Sequence, residues 1–483
     1  MARATLAIVN GHVWKHPGAT ALAVSGERIA GTGSDAQVRE SLARDARVID
    51  ARGAFILPAF NDAHVHFLMA SRSLSELDLH GVETQAEIER RIVEYARAHD
   101  GEWVVGRGWF YSAFPGDIPS VELLDRLVPD RPAYMESFDA HTGWANSRAL
   151  AIAGVPGRKE LKEAALLSVT RHIPARTRAE DLEALAAGMR LAASRGVVSV
   201  QEAGDGLDQL PLWESLLAAG RLTLRVRLAF DMTPGLAMSD WERRLDLYEE
   251  ARHDRGAWIT TGILKAFADG VVESRTAALL EPYAGTEERG EPLWAPDELR
   301  EAAAIAGGRG WQVQVHAIGD AAIRQALDAF EPLTPGRRHR VEHIENPAPG
   351  DLLRFARLGV VASMQPQHAD PKLTEVWRRN LGPGRAARGW PWREIARSGA
   401  RLAFGTDWPV VPLDPLASIA IAREQLSLEE AIDAWTSGSA YAEHAEIDKG
   451  AIREGMLADI AVVDLDRAEV RATVAGGRVV YEE

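Results

Sequence analysis

The chain has 483 residues, 46% of them hydrophobic, and a formal net charge of −15. Its length suits one α/β barrel with a small appendage, and the acidic balance excludes a general binder of nucleic acid or of anionic membrane surfaces. Zero cysteines exclude disulfides and thiolate ligands, so any metal must be held by nitrogen and oxygen donors.

Residues 2–56 read as short strands and turns: Thr5 to Val9, a turn at Asn10-Gly11, His12 to Lys15, Ala21 to Ser25, Arg28 to Thr32 and Arg47 to Asp50. The N-terminus lacks the long apolar core of a signal peptide and no run approaches a membrane span, so a cytoplasmic protein without a membrane partner is expected. Phe55 to His66 reads as the first strand of a larger unit and carries His64-Val-His66. On a strand, residues i and i+2 project to the same side, so both imidazoles face one point and can share one metal.

About 130 residues separate this strand from the next, far more than a crossover needs. The insertion, 67–190, has strands at Trp103 to Gly106 and Ala133 to Ser137, a helix at Ala86 to Ala98 and a helical reading for Lys162 to Ile173. It is expected to form a lid. Strands then alternate with helical stretches: Val197 to Glu202, Leu224 to Phe230, Thr261 to Asp269, Gln312 to Ala317, Arg340 to Glu345, Val360 to Gln365 and Leu402 to Asp407. Eight such strands predict an α/β fold, a (β/α)8 TIM-type barrel over 57–449 with its site at the C-terminal strand ends. Ile460 to Asp464, Val470 to Ala475, a Gly476-Gly477 turn and Arg478 to Tyr481 close the chain. Residues 1–56 and 450–483 are expected to form one small composite β-sandwich.

Residues with ligand chemistry recur at the predicted strand ends: His64 and His66, Lys265, His316, His343 on an alternating strand as its inward histidine, and Asp407. In a barrel these ends converge on one cavity, which predicts a metal-dependent enzyme.

The start Asn61-Asp-Ala-His-Val-His66, the runs Lys265-Ala-Phe-Ala-Asp-Gly270, His316-Ala-Ile-Gly-Asp320, Val341-Glu-His343 and Gly405-Thr-Asp-Trp-Pro409, and the closing Gly450 to Asp459 segment together resemble the amidohydrolase superfamily. Within it the resemblance is to amidohydrolase family 3, whose members include N-substituted formamide deformylases. It implies that His64, His66 and Asp407 bind a more buried metal, that His316 and His343 bind a second, and that Lys265 bridges them as a carboxylated lysine, a carbamate formed with carbon dioxide. One or two divalent metals per chain are implied, with zinc the preferred ion. Asp407 would also be the general acid/base. The reaction implied is hydrolysis of a C–N bond in a small amide, N-formyl or N-acyl compound. The alternatives are a mononuclear-zinc deaminase of a nitrogen heterocycle, with Lys265 unmodified, and a non-catalytic binding protein on the same barrel.

Four residues are candidate substrate contacts. His141 in the insertion is also a candidate catalytic group, and Trp109 and Arg275 would line the pocket. Asp320 reads either as an acceptor orienting His316 or as the cap of the next helix. His368, just past the seventh strand, has no assignment. The expected partner is a small molecule, and a homodimer is the expected assembly for a barrel with 14 tryptophans.

Overall fold

The computed structural model describes residues 3–159, 161–333 and 335–483. Among them, eight parallel strands lie side by side in chain order: β1 (Phe60–Val65), β2 (Val197–Glu202), β3 (Arg225–Asp231), β4 (Ile259–Phe267), β5 (Gln312–Ala317), β6 (Arg340–His343), β7 (Val361–Met364) and β8 (Leu402–Phe404). They form the TIM-type barrel that the alternation of apolar runs and helices predicts. Successive side chains point opposite ways along a strand. On β5, Val313, Val315 and Ala317 join the large apolar cluster, which leaves Gln312, Gln314 and His316 to the barrel axis.

Among the described residues β8 forms no ladder with β1. The seam closes just beyond, where the Asp407 N–H donates to the His64 carbonyl at 2.7 Å and the His66 N–H to that of Trp408 at 2.9 Å. Asp62 clasps the same place, accepting from the Thr406 N–H at 3.0 Å, the Thr406 hydroxyl at 2.5 Å and the His64 N–H at 3.1 Å. Only glycine fits at 405, because a Cβ there would lie 2.5 Å from the His64 nitrogen.

The predicted strand from Phe55 to His66 proves to be two strands. Phe55–Pro58 pairs antiparallel with Ile460–Asp464 outside the barrel, and the run breaks at Pro58, which has no N–H with which to extend a ladder. This outer sheet runs His12–Val13, Phe55–Pro58, Ile460–Asp464, Glu469–Ala475, Arg478–Glu482. A second sheet, Arg28–Gly33, Ala21–Ser25, Ala4–Val9, Leu42–Asp50, shares a core with it through Leu6, Ile8, Leu22, Ile56, Val462 and Val474.

The insertion after β1 holds a five-stranded sheet in the order Leu161–Lys162, Thr142–Ala145, Ala133–Ser137, Val104–Trp109, Leu77–Asp78. Its helix Gln85–Ala98 begins where the Thr84 hydroxyl accepts from the Glu87 N–H. The helix expected over Lys162 to Ile173 is largely absent: Lys162 ends an edge strand, Glu163–Ala165 is a single turn, and only Leu167–Thr170 is helical. Glu163 sits at φ 50°, outside the helical region, with its carboxylate committed to other partners. No helix among the described residues is long and apolar enough to cross a membrane.

Candidate metal centre

Strand β1 sends Asp62, His64 and His66 to the inside of the barrel. Nδ1 of His64 lies 2.6 Å from Glu342 Oε2, so its Nε2 is left to face Asp407 Oδ1 at 3.5 Å. Nε2 of His66 is also 3.5 Å from that oxygen. Asp407 follows β8 at φ 61°, a left-handed conformation that non-glycine residues adopt at a cost of about 1–3 kcal/mol.

On β6 the alternation works differently from the expectation of an inward histidine. Arg340 and Glu342 are the residues that point to the axis. His343 reaches the site because the strand ends there, at φ 73° followed by Ile344 at φ 52°. Its ring lies 4.4 Å from that of His316 and 4.8 Å from that of His64. Ligand atoms of His64, His343 and Asp407 all fall within 4.8 Å of one another. This tight group takes two residues, His64 and Asp407, from the first ligand set that the resemblance implies and one, His343, from the second. His316 adjoins it, but its Nε2 is turned toward the Gly270 carbonyl at 3.2 Å and Asp269 Oδ1 at 3.6 Å.

Burial, reinforced by the Lys265 ammonium for the first two, holds His64, His316 and His343 well below the ordinary imidazole range. Burial and Lys265 likewise push His66 down to about 3. Neutral imidazoles are the form that binds metal. Lys265 stands among them, its Nζ 3.3 Å from His64 Nε2 and 4.5 Å from the Phe267 ring centre. Burial pushes this amine down to about 8. Asp269, a candidate partner for it, instead accepts the N–H groups of Ala278, Ile318 and Gly319.

These residues fit a cation. His343 Nδ1 and Asp407 Oδ1 are buried without a hydrogen-bond partner among the described residues, and such atoms are costly unless something else satisfies them. Nε2 of His64 is prepared as well: Glu342, which orients His64, is itself held by Arg340 at 2.9 Å, and both are fully buried.

The insertion closes the cavity, of about 340 Å³, with Phe138, His141, Glu163 and Leu166. Nδ1 of His141 lies 2.8 Å from Glu163 Oε2, whose other oxygen accepts from the Thr276 hydroxyl at 2.5 Å. Burial works against charging His141, but Glu163 outweighs it and pushes the imidazole up to about 9.

Three expected contacts lie elsewhere. Trp109 is fully buried in the core of the insertion, donating to the Met135 carbonyl at 3.1 Å. Arg275 faces away toward Asn380 and Glu288, and Asp320 accepts from the Leu280 N–H at 2.8 Å at the start of helix Asp320–Phe330, not from His316. Conversely, His368 belongs to the site: its ring stacks on His343 at 5.8 Å, its Nε2 is 3.9 Å from Asp407 Oδ2, and its Nδ1 lies 3.3 Å from Glu345. Glu342, Glu163 and Glu345 also escaped the sequence reading. Position just past the end of the seventh strand was the one available signal for His368.

A family model described as the amidohydrolase family matches residues 47–481. The chain belongs to this family. It is therefore a hydrolase by descent. It is 29% identical to the protein LONG AFTER FAR-RED 3 of Arabidopsis thaliana, over 99% of this chain and 92% of that one. It is 25% identical to the N-substituted formamide deformylase of Arthrobacter pascens, over 93% and 90% of the two chains. Among solved structures, a metal-dependent hydrolase of Pyrococcus furiosus is similar with a TM-score of 0.75 and 28% identity, over 95% of this amidohydrolase and 99% of that chain.

Proposed function

We propose that this amidohydrolase cleaves a C–N bond of a small amide, N-formyl or N-acyl compound, with His64, His66, His316, His343, Asp407 and a carboxylated Lys265 as ligands of divalent metal, zinc by preference. The observation that carries the proposal is the buried, unpartnered pair His343 Nδ1 and Asp407 Oδ1 at the floor of the cavity. When bound, a divalent cation supplies Lewis acidity there, so that water loses a proton near neutral pH.

The chain's own groups do the rest. Asp407 takes the proton of the attacking water and passes it to the leaving nitrogen. His141, held charged by Glu163, donates a hydrogen bond to the substrate carbonyl oxygen as negative charge develops on it. Phe138, Leu166, Leu293 and Val410 give the cavity an apolar wall for the organic group, and about 340 Å³ is at the small-molecule end of ligand sites. Lys265, depressed to about 8, keeps a usable fraction of neutral amine at pH 7; that amine adds to carbon dioxide, and the new N–C bond forms as a proton leaves for solvent.

The close grouping of His64, His343 and Asp407 supports a second reading, a single zinc and a deaminase reaction. Metal content per chain separates the two when measured on wild type and Lys265→Ala purified with bicarbonate, beside turnover of N-formyl and N-acyl compounds. About two metals, falling to one or fewer in the variant, together with amide turnover, is the expected result. One metal unaffected by the substitution supports the deaminase, and no metal in either protein overturns both.

A further inference from the structure

At the opposite mouth of the barrel, Arg227 presents an unusual charge. It lies on β3 with Val226 and Leu228 packed outward, so its side chain enters the barrel near the N-terminal strand ends. It is 6% exposed, and among the described residues Nε is buried without a partner and no carboxylate or carbonyl takes its guanidinium in a hydrogen bond or ion pair. A buried charge left unpaired is strongly destabilising unless something from outside the chain compensates it.

The guanidinium opens onto a cavity of about 310 Å³ that Arg252, Arg337, Thr261 and Gln312 also line. Thr261 Oγ1 and Gln312 Oε1 are buried there without partners as well. Glycine at 310 keeps the space open, since a Cβ would stand 3.2 Å from Arg252 Nη2 and 3.4 Å from Arg337 Nη2. Each of the acids nearby, Asp254 and Glu443, has one oxygen engaged within the chain. Asp254 accepts the Thr261 N–H at 3.2 Å, and Glu443 takes Lys449 at 2.7 Å and Asn61 at 2.5 Å. Three guanidinium groups, of which Arg252 is also held by Glu249 and the Gly310 carbonyl, therefore face one polar cavity with a single carboxylate, Asp254, among the described residues of its wall.

We infer that this cavity is a second binding site, for a small oxyanion, a phosphate or carboxylate group, seated on Arg227 with Arg252 and Arg337. It lies on the face of the barrel away from the metal centre, and arginine's planar fork matches either group. The occupant takes the charge of Arg227 in the way that a partner carboxylate would in an ordinary buried pair.

The test is calorimetric titration of the full chain with inorganic phosphate, and separately with malonate, at constant ionic strength, on wild type, Arg227→Met and Arg337→Ala. Wild type is expected to bind at least one of the two anions, and which one it prefers identifies phosphate or carboxylate as the natural group. Arg227→Met should weaken binding by at least about tenfold, the value of a charge-assisted hydrogen bond. In anion-free buffer the same variant should melt no lower than wild type, because an unpaired buried charge has been removed. Arg337→Ala, on an exposed turn, should weaken binding without affecting folding even if the methionine variant is insoluble. Binding that survives both substitutions places the anion elsewhere and overturns the inference, as does no binding of either anion to wild type.

Discussion

Glu342 Oε2 lies 2.6 Å from Nδ1 of His64, and the contact fixes which nitrogen of that imidazole is free. Glu342→Gln keeps the volume and a hydrogen bond to Arg340 but removes the charge behind the ligand. Metal affinity, measured by competition with a chelator, is expected to fall by about 10- to 100-fold, with the circular dichroism spectrum unchanged. Wild-type affinity would show that the orientation of His64 does not depend on this carboxylate.

Asp407→Asn should retain the fold and much of the metal while lowering turnover on the order of 100-fold or more, as for loss of a positioned general base. Single-turnover rates on a reactive N-formyl substrate measure it. Unchanged turnover would reassign the proton transfer, with His368 the next group to examine.

His141 is charged through neutral pH because Glu163 outweighs burial, holding it at about 9. The rate is expected to fall as pH rises through that value. In Glu163→Gln the falling limb should move to lower pH, since the neutral amide no longer favours the imidazolium. A limb that stays in place would detach His141 from the rate.

Burial pushes Glu202 up to about 8, against the pull of the Leu68 and Phe67 N–H groups that it accepts. A carboxyl raised on folding holds its proton more tightly in the native state, so the stability it permits is full below about 4.5 and declines as pH climbs to about 8. Glu202→Gln, which keeps an acceptor, should flatten the fall in melting temperature across that window. Parallel wild-type and variant curves would rule the group out.

Trp109→Phe tests the reassignment of that residue from pocket to core. It deletes part of a fully buried ring and the hydrogen bond to Met135, so the expected loss is about 1–3 kcal/mol of stability with KM unchanged. A shift in KM at unchanged stability would return Trp109 to the cavity.

The barrel was legible because parallel strands covered on both faces are short apolar runs whose breaks show in any sequence, and because His64, Lys265, His316, His343 and Asp407 stand at the ends of such runs. What periodicity cannot convey is a side chain redirected by a backbone turn. His343 enters the site through left-handed backbone after β6, Glu163 through a twist that stops a helix, and neither conformation leaves a mark in residue type. Trp109 misled for a related reason: an aromatic beside glycines looks alike whether it lines a cavity or fills a core. Asp320 is the acid near His316 in the chain, and only the fold decides that Asp269, on the preceding strand's exit, is the one beside it.

The seam between β1 and β8 carries a consequence for the life of the molecule. His64 stands on one lip and Asp407 on the other, joined by the Asp62 clasp and two main-chain bonds rather than by a ladder. A cation held by both lips would act as a rivet across the one join of the ring that is unladdered among the described residues. Loading and closure then become a single linked equilibrium, and whatever binds only the closed ring stabilises it in proportion to the logarithm of its concentration. Without the ion this join would part more readily and expose strand edges to proteases, so scarcity of the ion would lower the abundance of the protein as well as its activity.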